Sequence, residues 1–364
     1  MGILAITVMS SGCSAEKADI IDCPQRDLSF SVDSPLMDIV NNERARAIAN
    51  EGLNGVLDRL PESLASGTPP SFSAILSVRS IASMSQIPSD KLDAINASLS
   101  AISLSEADKV KRCERYDNDV PTFNLAEGTL NVLVFEKING FKDEPSFNAA
   151  KAMLAKMAYD NNWSLVGTDK AGAFNEDTLA DFDVVVWNNV SGDVLTLSQR
   201  KAFKQYIENG GAYVGIHGAG GDPIYSWDWY VSELVGAQFI GHPKEPHFQH
   251  ARLTTEDNKA GVGKGLPAEW FLEEEWYSFK TSPRENSAFI VATLDESTYE
   301  PKGYSGESLA MGDHPVAWGK CVKKGRAFYS ALGHVPAVYE DKHHKSLIRQ
   351  AIEWAAKDEA GLCN

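Results

Sequence analysis

A chain of 364 residues, 43% hydrophobic and 23% charged, has the composition of an ordinary globular protein, which excludes disordered, collagen-like and coiled-coil chains. Its length allows two units. The formal net charge of −16 comes without the clustered Lys and Arg that neutralising phosphates requires, so nucleic acid is not an expected partner and a neutral or cationic ligand is easier to hold.

The chain opens on "MGILAITVMSSG", apolar and then small, directly before Cys13. This predicts a lipoprotein signal over residues 1–12, with Cys13 lipidated and the protein tethered in the cell envelope or periplasm, although a basic start is lacking. The competing reading is a cytoplasmic protein with a greasy N-terminus. No later segment reaches the length of a membrane span. The five cysteines form no CxxC or CxxCH, which excludes zinc-ribbon, thioredoxin-like and haem-attachment chemistry. Apart from Cys13, Cys23 and Cys113 flank the N-terminal region and can close it with a disulfide, while Cys321 and Cys363 are a second pair or two thiols.

Residues 13–126 carry helical signals. "SPLMDIVNNERARAIANEGLNGVLDRL" begins with Ser34 as N-cap and Pro35 in the first turn, and places Leu36, Ile39, Val40, Ala47 and Ile48 on one helical stripe. "SFSAILSVRSIASMSQ" and "SDKLDAINASLSAISLSEADKVKRCERY" supply two or three more helices, separated by the breakers "SGTPP" and "QIPSD". A small all-α bundle without His or Trp offers little chemistry, so packing, a lid or an interaction role is expected of it.

Over residues 127–361 the pattern becomes strand and helix in alternation. "LNVLVF", "WSLVGTD", "DVVVWNN" and "AYVGIHG" read as apolar strands, and "SFNAAKAMLAKMAYDNN", "EDTLADF" and "TLSQRKAFKQYIENGG" as the helices between them. "AFIVATL", "PVAWGKCV" and "GRAFYSAL" follow as strands, and "HKSLIRQAIEWAAKD" closes as a helix. The pattern predicts a parallel sheet with helices on both faces, and ligands in such sheets bind beyond the C-terminal strand ends. Here those ends are Phe135 to Lys137, Asn188 to Asp193 and His217 to Gly221.

All eight histidines lie in the C-terminal half, several beside Gly or Pro at predicted strand ends. An imidazole there can be a general base, a proton donor or a metal ligand, and His217, His242, His314 and His334 are the candidates. His343 and His344, within the charged "EDKHHK", read as surface residues. "FLEEEWYSF" offers Glu273, Glu274 and Glu275, but neighbours on a strand face opposite sides, and Glu275 with Tyr277 is the pair chosen for the site. Histidine and carboxylate together can coordinate a divalent metal or act as acid and base without one. No HExxH-type spacing occurs, so no metal is expected; were a divalent ion bound, His217, His242 and Glu275 are its candidate ligands. Trp227, Trp229 and Tyr230 follow the His217 turn and suit stacking on a sugar ring as well as core packing, with Asp222 and Asp228 as hydroxyl acceptors. GxGxxG and GxxxxGK[ST] are missing, so no nucleotide phosphate cradle is indicated.

The order of "VLVFEKINGF", "LADFDVVVWNNVSGDVLTLSQRKAFKQYIENGGAYVGIHGAGG", "WDWYVSELVGAQFIGHP", "EEEWYSF", "LDESTY", "MGDHPVAWGK" and "GRAFYSALGHVPAVYED", from about residue 129 to 356, resembles the ThuA-like (trehalose utilization) family. The resemblance implies a fold similar to class I glutamine amidotransferases and a part in disaccharide or polysaccharide utilization, partly through 3-keto-sugar intermediates. Amidotransferases carry Cys in G-x-C-x-G; His217 at that turn implies that glutaminase chemistry is absent. Many relatives read Gly-Phe-Arg-His after the first strand, where this chain has Lys142 and Asp143.

The expectation is an α/β fold, a flavodoxin-like or amidotransferase-like parallel sheet with helices on both faces, preceded by a small all-α domain. The expected function is envelope-associated carbohydrate utilization. Catalytic roles fall to His217, Glu275, Tyr277 and His314, and saccharide binding to Lys137, Asn188, Trp227, Trp229, Tyr230, His242 and His334. The alternatives are a non-catalytic carbohydrate-binding or scaffold protein and a metal-dependent hydrolase.

Overall fold

The computed structural model describes residues 20–357 and Cys363; the signal reading of residues 1–12 and the lipidation of Cys13 lie outside them. The N-terminal helices are α1 (Leu36–Val40), α2 (Glu43–Gly52), α3 (Glu62–Ala65), α4 (Val78–Met84), α5 (Ser89–Ser100) and α6 (Glu106–Cys113). The single helix expected after Pro35 is two, because the Asn42 side chain accepts from the Ala45 N–H and starts a new N-terminus there. Reciprocal capping boxes, Ser77 with Ser80 and Ser105 with Asp108, start α4 and α6. Their apolar faces enclose a core of their own that includes Leu36, Ile39, Leu53, Val78, Ile81 and Leu99. At its edge the buried Asp38 pairs with Arg115 at 2.5 Å, and the Cys23–Cys113 disulfide ties the start of the region to the end of α6.

The second unit is built on β1 (Asn131–Phe135), β2 (Ser164–Thr168), β3 (Val184–Asn188), β4 (Ala212–Ile216), β5 (Phe239–Gly241), β6 (Gln249–Thr255), β7 (Glu269–Glu274), β8 (Ser278–Phe279), β9 (Phe289–Leu294), β10 (Pro315–Val322) and β11 (Gly325–Ser330). Nine strands form one sheet in the order β2-β1-β3-β4-β11-β10-β9-β6-β7, and β5 pairs with β8 beside it. From β2 to β11 the pairs are parallel, as the alternating pattern predicts; from β11 to β7 they are antiparallel. β5 and β6 are additions to the sequence reading, and β7 and β8 fall at "FLEEEWYSF", where only strand alternation among the carboxylates was read. In β7 the burial alternates residue by residue, so "EWFLEE" has no apolar run to announce it.

Helices α7 (Glu144–Asn161), α8 (Glu176–Leu179), α9 (Leu197–Glu208) and α10 (Lys342–Ala356) cover this sheet. α9 stacks Phe203 on Trp187 of β3 at 5.8 Å. α10 lays Leu347, Ile348, Ala351, Ile352 and Ala355 against the core. His344 falls on that same stripe and is fully buried, which corrects its reading as a surface residue. Among the described residues no helix is long and apolar enough to cross a membrane. Cys321 and Cys363 form the second disulfide.

Two predictions follow from this packing. Replacing both Cys23 and Cys113 by Ser should cost about 2–5 kcal/mol in a urea titration, because the disulfide closes a loop between residues 90 apart and restricts the unfolded chain. Burial pushes the His344 imidazole down to about 4, only partly offset by Asp341. The folded state therefore binds this proton less readily than the unfolded chain, whose histidine titrates near ~6.5. The stability tied to His344 is complete above that value and is lost as pH falls toward about 4, by roughly 3 kcal/mol at most. His344→Leu should flatten this part of the stability–pH curve.

Candidate functional site

Glu275 follows directly on β7, with its side chain only 4% exposed, and four imidazoles surround its carboxylate. His334 Nδ1 is 2.9 Å from Oε2 and His217 Nε2 3.4 Å from it; on the other oxygen, His242 Nδ1 is 3.3 Å from Oε1, and His247 Nε2 makes a short bond to the same atom. Burial acts to raise the Glu275 carboxyl, but the bonds to His217, His247 and His334 and the field of His242 outweigh it and hold the group well below the usual carboxylate range. His334 shows the reciprocal effect. Burial would lower it, yet its bond to Glu275 and the charges of Glu275, Glu274 and Asp143 raise it above its ordinary value.

His217 ends β4 in the left-handed region at φ 44, a conformation that costs energy for any residue with a Cβ and turns the side chain sharply off the strand end. The turn holds because its neighbours pin it: the Tyr329 hydroxyl donates to the His217 carbonyl at 2.8 Å, and a Cβ on Gly221 would lie 2.5 Å from the Tyr277 ring. His217 Nδ1 lies 2.8 Å from the Ala331 carbonyl. A carbonyl only accepts, so Nδ1 carries a proton and Nε2 is the nitrogen that faces the site. Tyr277, raised far above the ordinary tyrosine range by burial and the charge of Glu275, keeps its proton, and its hydroxyl lies 2.9 Å from that Nε2.

Adjacent carboxylates take opposite duties, as strand alternation requires. Glu274 is fully buried and accepts the N–H groups of Glu275, Gly333, His334 and Val335 at 2.8 to 3.0 Å, which fixes the loop carrying His334. His314 is also fully buried; it spans from the Tyr277 carbonyl to Glu296, at 2.8 Å each. The catalytic role expected for His314 is therefore corrected to a positioning one: both ring nitrogens are engaged away from Glu275.

The expected saccharide-binding residues fare unevenly. His242 and His334 lie in the cluster, whereas Lys137 pairs with Asp117 at 2.7 Å, and Asn188, fully buried, reaches Glu136 and the Phe147 carbonyl. Tyr230 is buried with its hydroxyl on Tyr213 and the Ala219 carbonyl, Trp227 lies over Arg200, and Trp229 lies near Lys204. These three aromatics pack around α9 and its flanking loops, so the stacking platform expected of them is corrected to a packing role. Asp222, expected as a hydroxyl acceptor, is buried and occupied by Ser191 and the Gly192 N–H.

Sequence reasoning left out His247 and the aromatics that border the cluster. Phe248, 39% exposed, stacks on His247 at 4.3 Å, and Tyr304, 54% exposed, stands edge-on to His242 at 5.5 Å. Phe141 lies along His334 at 5.9 Å, backed at 4.6 Å by Phe72 from the helical region. The one sequence signal was the repeated imidazole in "HPKEPHFQH". Asp143, standing where many relatives have His, caps α7 through the Ser146 N–H. Among the described residues two sets of donors could hold a metal ion, His217, Glu275 and His334 in one and His242, His247 and Glu275 in the other.

Glu274→Gln tests the supporting framework. The amide keeps one accepting oxygen for His334 and Val335 but turns a donor toward the Gly333 N–H, so a loss of about 1–3 kcal/mol is expected in chemical unfolding. The imidazole resonances of His334 should shift with it.

Comparison with known proteins agrees with this architecture. A ThuA-like protein from Bacteroides uniformis ATCC 8492 is 24% identical, with a TM-score of 0.56 over 66% of this chain and 97% of its own. One from Parabacteroides merdae ATCC 43184 is 18% identical, with a TM-score of 0.48 over 63% of this chain and 90% of its own. No curated protein matches the chain. The ThuA family, described as trehalose utilisation, matches residues 131–355, more than half of the sequence and the whole stretch that carries the imidazole cluster. The chain belongs to the ThuA family.

Proposed function

We infer that this protein is an enzyme of carbohydrate utilization that acts on a saccharide, or on its oxidised 3-keto form, by proton transfer at Glu275 and the imidazoles around it. The observation that carries this reading is the buried carboxylate ringed by His217, His242, His247 and His334 beyond the strand ends. An ionised Glu275 carboxylate stabilises a neighbouring imidazole that takes up a proton, so carboxylate and imidazoles together form a proton-accepting unit, and His334 adds a donor beside it. The face toward solvent carries Phe248 and Tyr304, whose exposed rings suit the C–H faces of a sugar.

For a 3-keto substrate the reaction class is removal of the proton on the carbon next to the ketone, with the electron pair passing into the carbonyl oxygen as an enolate. Glutamine hydrolysis has no part in it, since His217 occupies the turn where a thiol nucleophile would stand. A place in the cell envelope, with a lipid anchor at Cys13, belongs to the same reading; it is supported by the two disulfides, which persist in oxidising compartments.

The test uses the full chain with glucosides and their 3-keto derivatives in deuterated water, read by NMR. Deuterium should enter next to the ketone, and Glu275→Gln should slow entry at least about 100-fold while keeping the far-UV circular dichroism. Phe248→Ala should weaken saccharide affinity about 2- to 10-fold. Saccharide binding with neither exchange nor turnover would overturn the enzymatic reading in favour of a carbohydrate-binding protein.

A further inference from the structure

We propose that His217, His334 and Glu275 hold one divalent transition-metal ion of the zinc type. Three donor atoms define the site: His217 Nε2 to His334 Nδ1 is 3.3 Å, His217 Nε2 to Glu275 Oε2 is 3.4 Å, and His334 Nδ1 to Glu275 Oε2 is 2.9 Å. Bonds of about 2.0–2.1 Å to a tetrahedral ion place neighbouring ligand atoms about 3.3 Å apart. The triangle is therefore already close to the face that such an ion needs.

The bonds of His217 point the same way. With Nδ1 of His217 committed to the Ala331 carbonyl, Nε2 is the ring nitrogen left for an ion, and the Glu275 carboxylate faces it at 3.4 Å. An ion between them would take the Nε2 lone pair and release the Tyr277 hydroxyl from its contact with that atom. A carbonyl on the far nitrogen is also how ligating imidazoles are ordinarily oriented. Further support surrounds the set: Glu274 fixes the backbone of His334, and His247 and His242 occupy the other Glu275 oxygen, leaving Oε2 for the ion.

The alternative set shares Glu275 but is the poorer one. His242 Nδ1 also lies 3.0 Å from the Pro243 carbonyl, which competes with an ion for that nitrogen, whereas the bonds of His334 Nδ1 run to Glu275 and His217, which belong to its own set. Nitrogen donors disfavour calcium and magnesium, which take oxygen ligands; two imidazoles and a carboxylate with a position left open match catalytic zinc sites and related iron and manganese ones. An ion there would polarise a carbonyl or activate a bound water. The assignment goes beyond the proton-transfer reading and does not depend on which substrate is used.

The experiment is elemental mass spectrometry and calorimetric titration of the tag-free full chain, stripped with chelator and then offered Zn²⁺, Mn²⁺, Co²⁺ or Ni²⁺ alone. One equivalent of ion should bind, with Co²⁺ giving the visible absorption of a tetrahedral nitrogen and oxygen site. His217→Ala and Glu275→Gln should each weaken binding at least about 100-fold, and His250→Ala, on the exposed surface, should not change it. Zn²⁺ should also raise the melting temperature of the parent chain and not that of His217→Ala, provided circular dichroism shows that the variant folds. If His217→Ala does not fold, His334→Gln takes its place in each measurement. No stoichiometric binding of any of the four ions, two ions per chain, or binding unchanged in the ligand variants would overturn the assignment. An ion bound without any action on saccharides leaves the metal site standing and removes the carbohydrate reaction; saccharide turnover by a chain that binds none of the four ions leaves the reaction standing and removes the site.

Discussion

A carboxylate with 4% of its side chain exposed is the constraint around which the C-terminal unit is arranged. Removing an ionised carboxylate from water without compensation costs far more than a domain's whole stability margin, so the group must neutralise or acquire partners. Glu275 acquires them from three separate segments, after β4, between β5 and β6, and after β11. Segments so distant in the chain meet only because the sheet brings β4 and β11 side by side and because the antiparallel extension returns β6 and β7 to the same end.

That dependence explains why so much buried polarity serves geometry and not chemistry. Glu274 spends its carboxylate on backbone N–H groups, His314 holds the Tyr277 carbonyl, and Tyr329 holds the His217 carbonyl. Each deletes one freedom from a residue that touches Glu275. The strained φ of His217 is tolerable for the same reason, since the bonds from Tyr329 and to Ala331 fix both its backbone and its ring.

The sequence makes the parallel half of the sheet legible because its strands are unbroken apolar runs, and it makes His217 legible because a glycine-rich turn follows such a run. Strand alternation limits how many of the adjacent carboxylates can reach one site but does not choose among them, and the structure places Glu275 and Tyr277 beside His217. His247 was hidden: its partner lies 28 residues away across the β6–β7 pair, and β7 alternates too evenly to show itself as a core strand. Trp227 and Trp229 misled for a physical reason, since an aromatic loop near a strand end serves a neighbouring helix as readily as a ligand. His344 misled because charged neighbours masked its register with Leu347, Ile348 and Ala351.

The helical region is attached to this site, not merely appended to the chain. The Asp22 side chain caps the start of α9 through Ser198, Asp117 bridges Lys137 and the Ala171 N–H, and the Ser71 N–H donates to the Asn139 carbonyl in the loop after β1. Through that loop Phe72 stacks on Phe141, and Phe141 lies along His334. A residue outside the family match thus backs an imidazole of the cluster. The region, poor in chemistry of its own, therefore meets the cluster by packing, from Phe72 through Phe141 to His334.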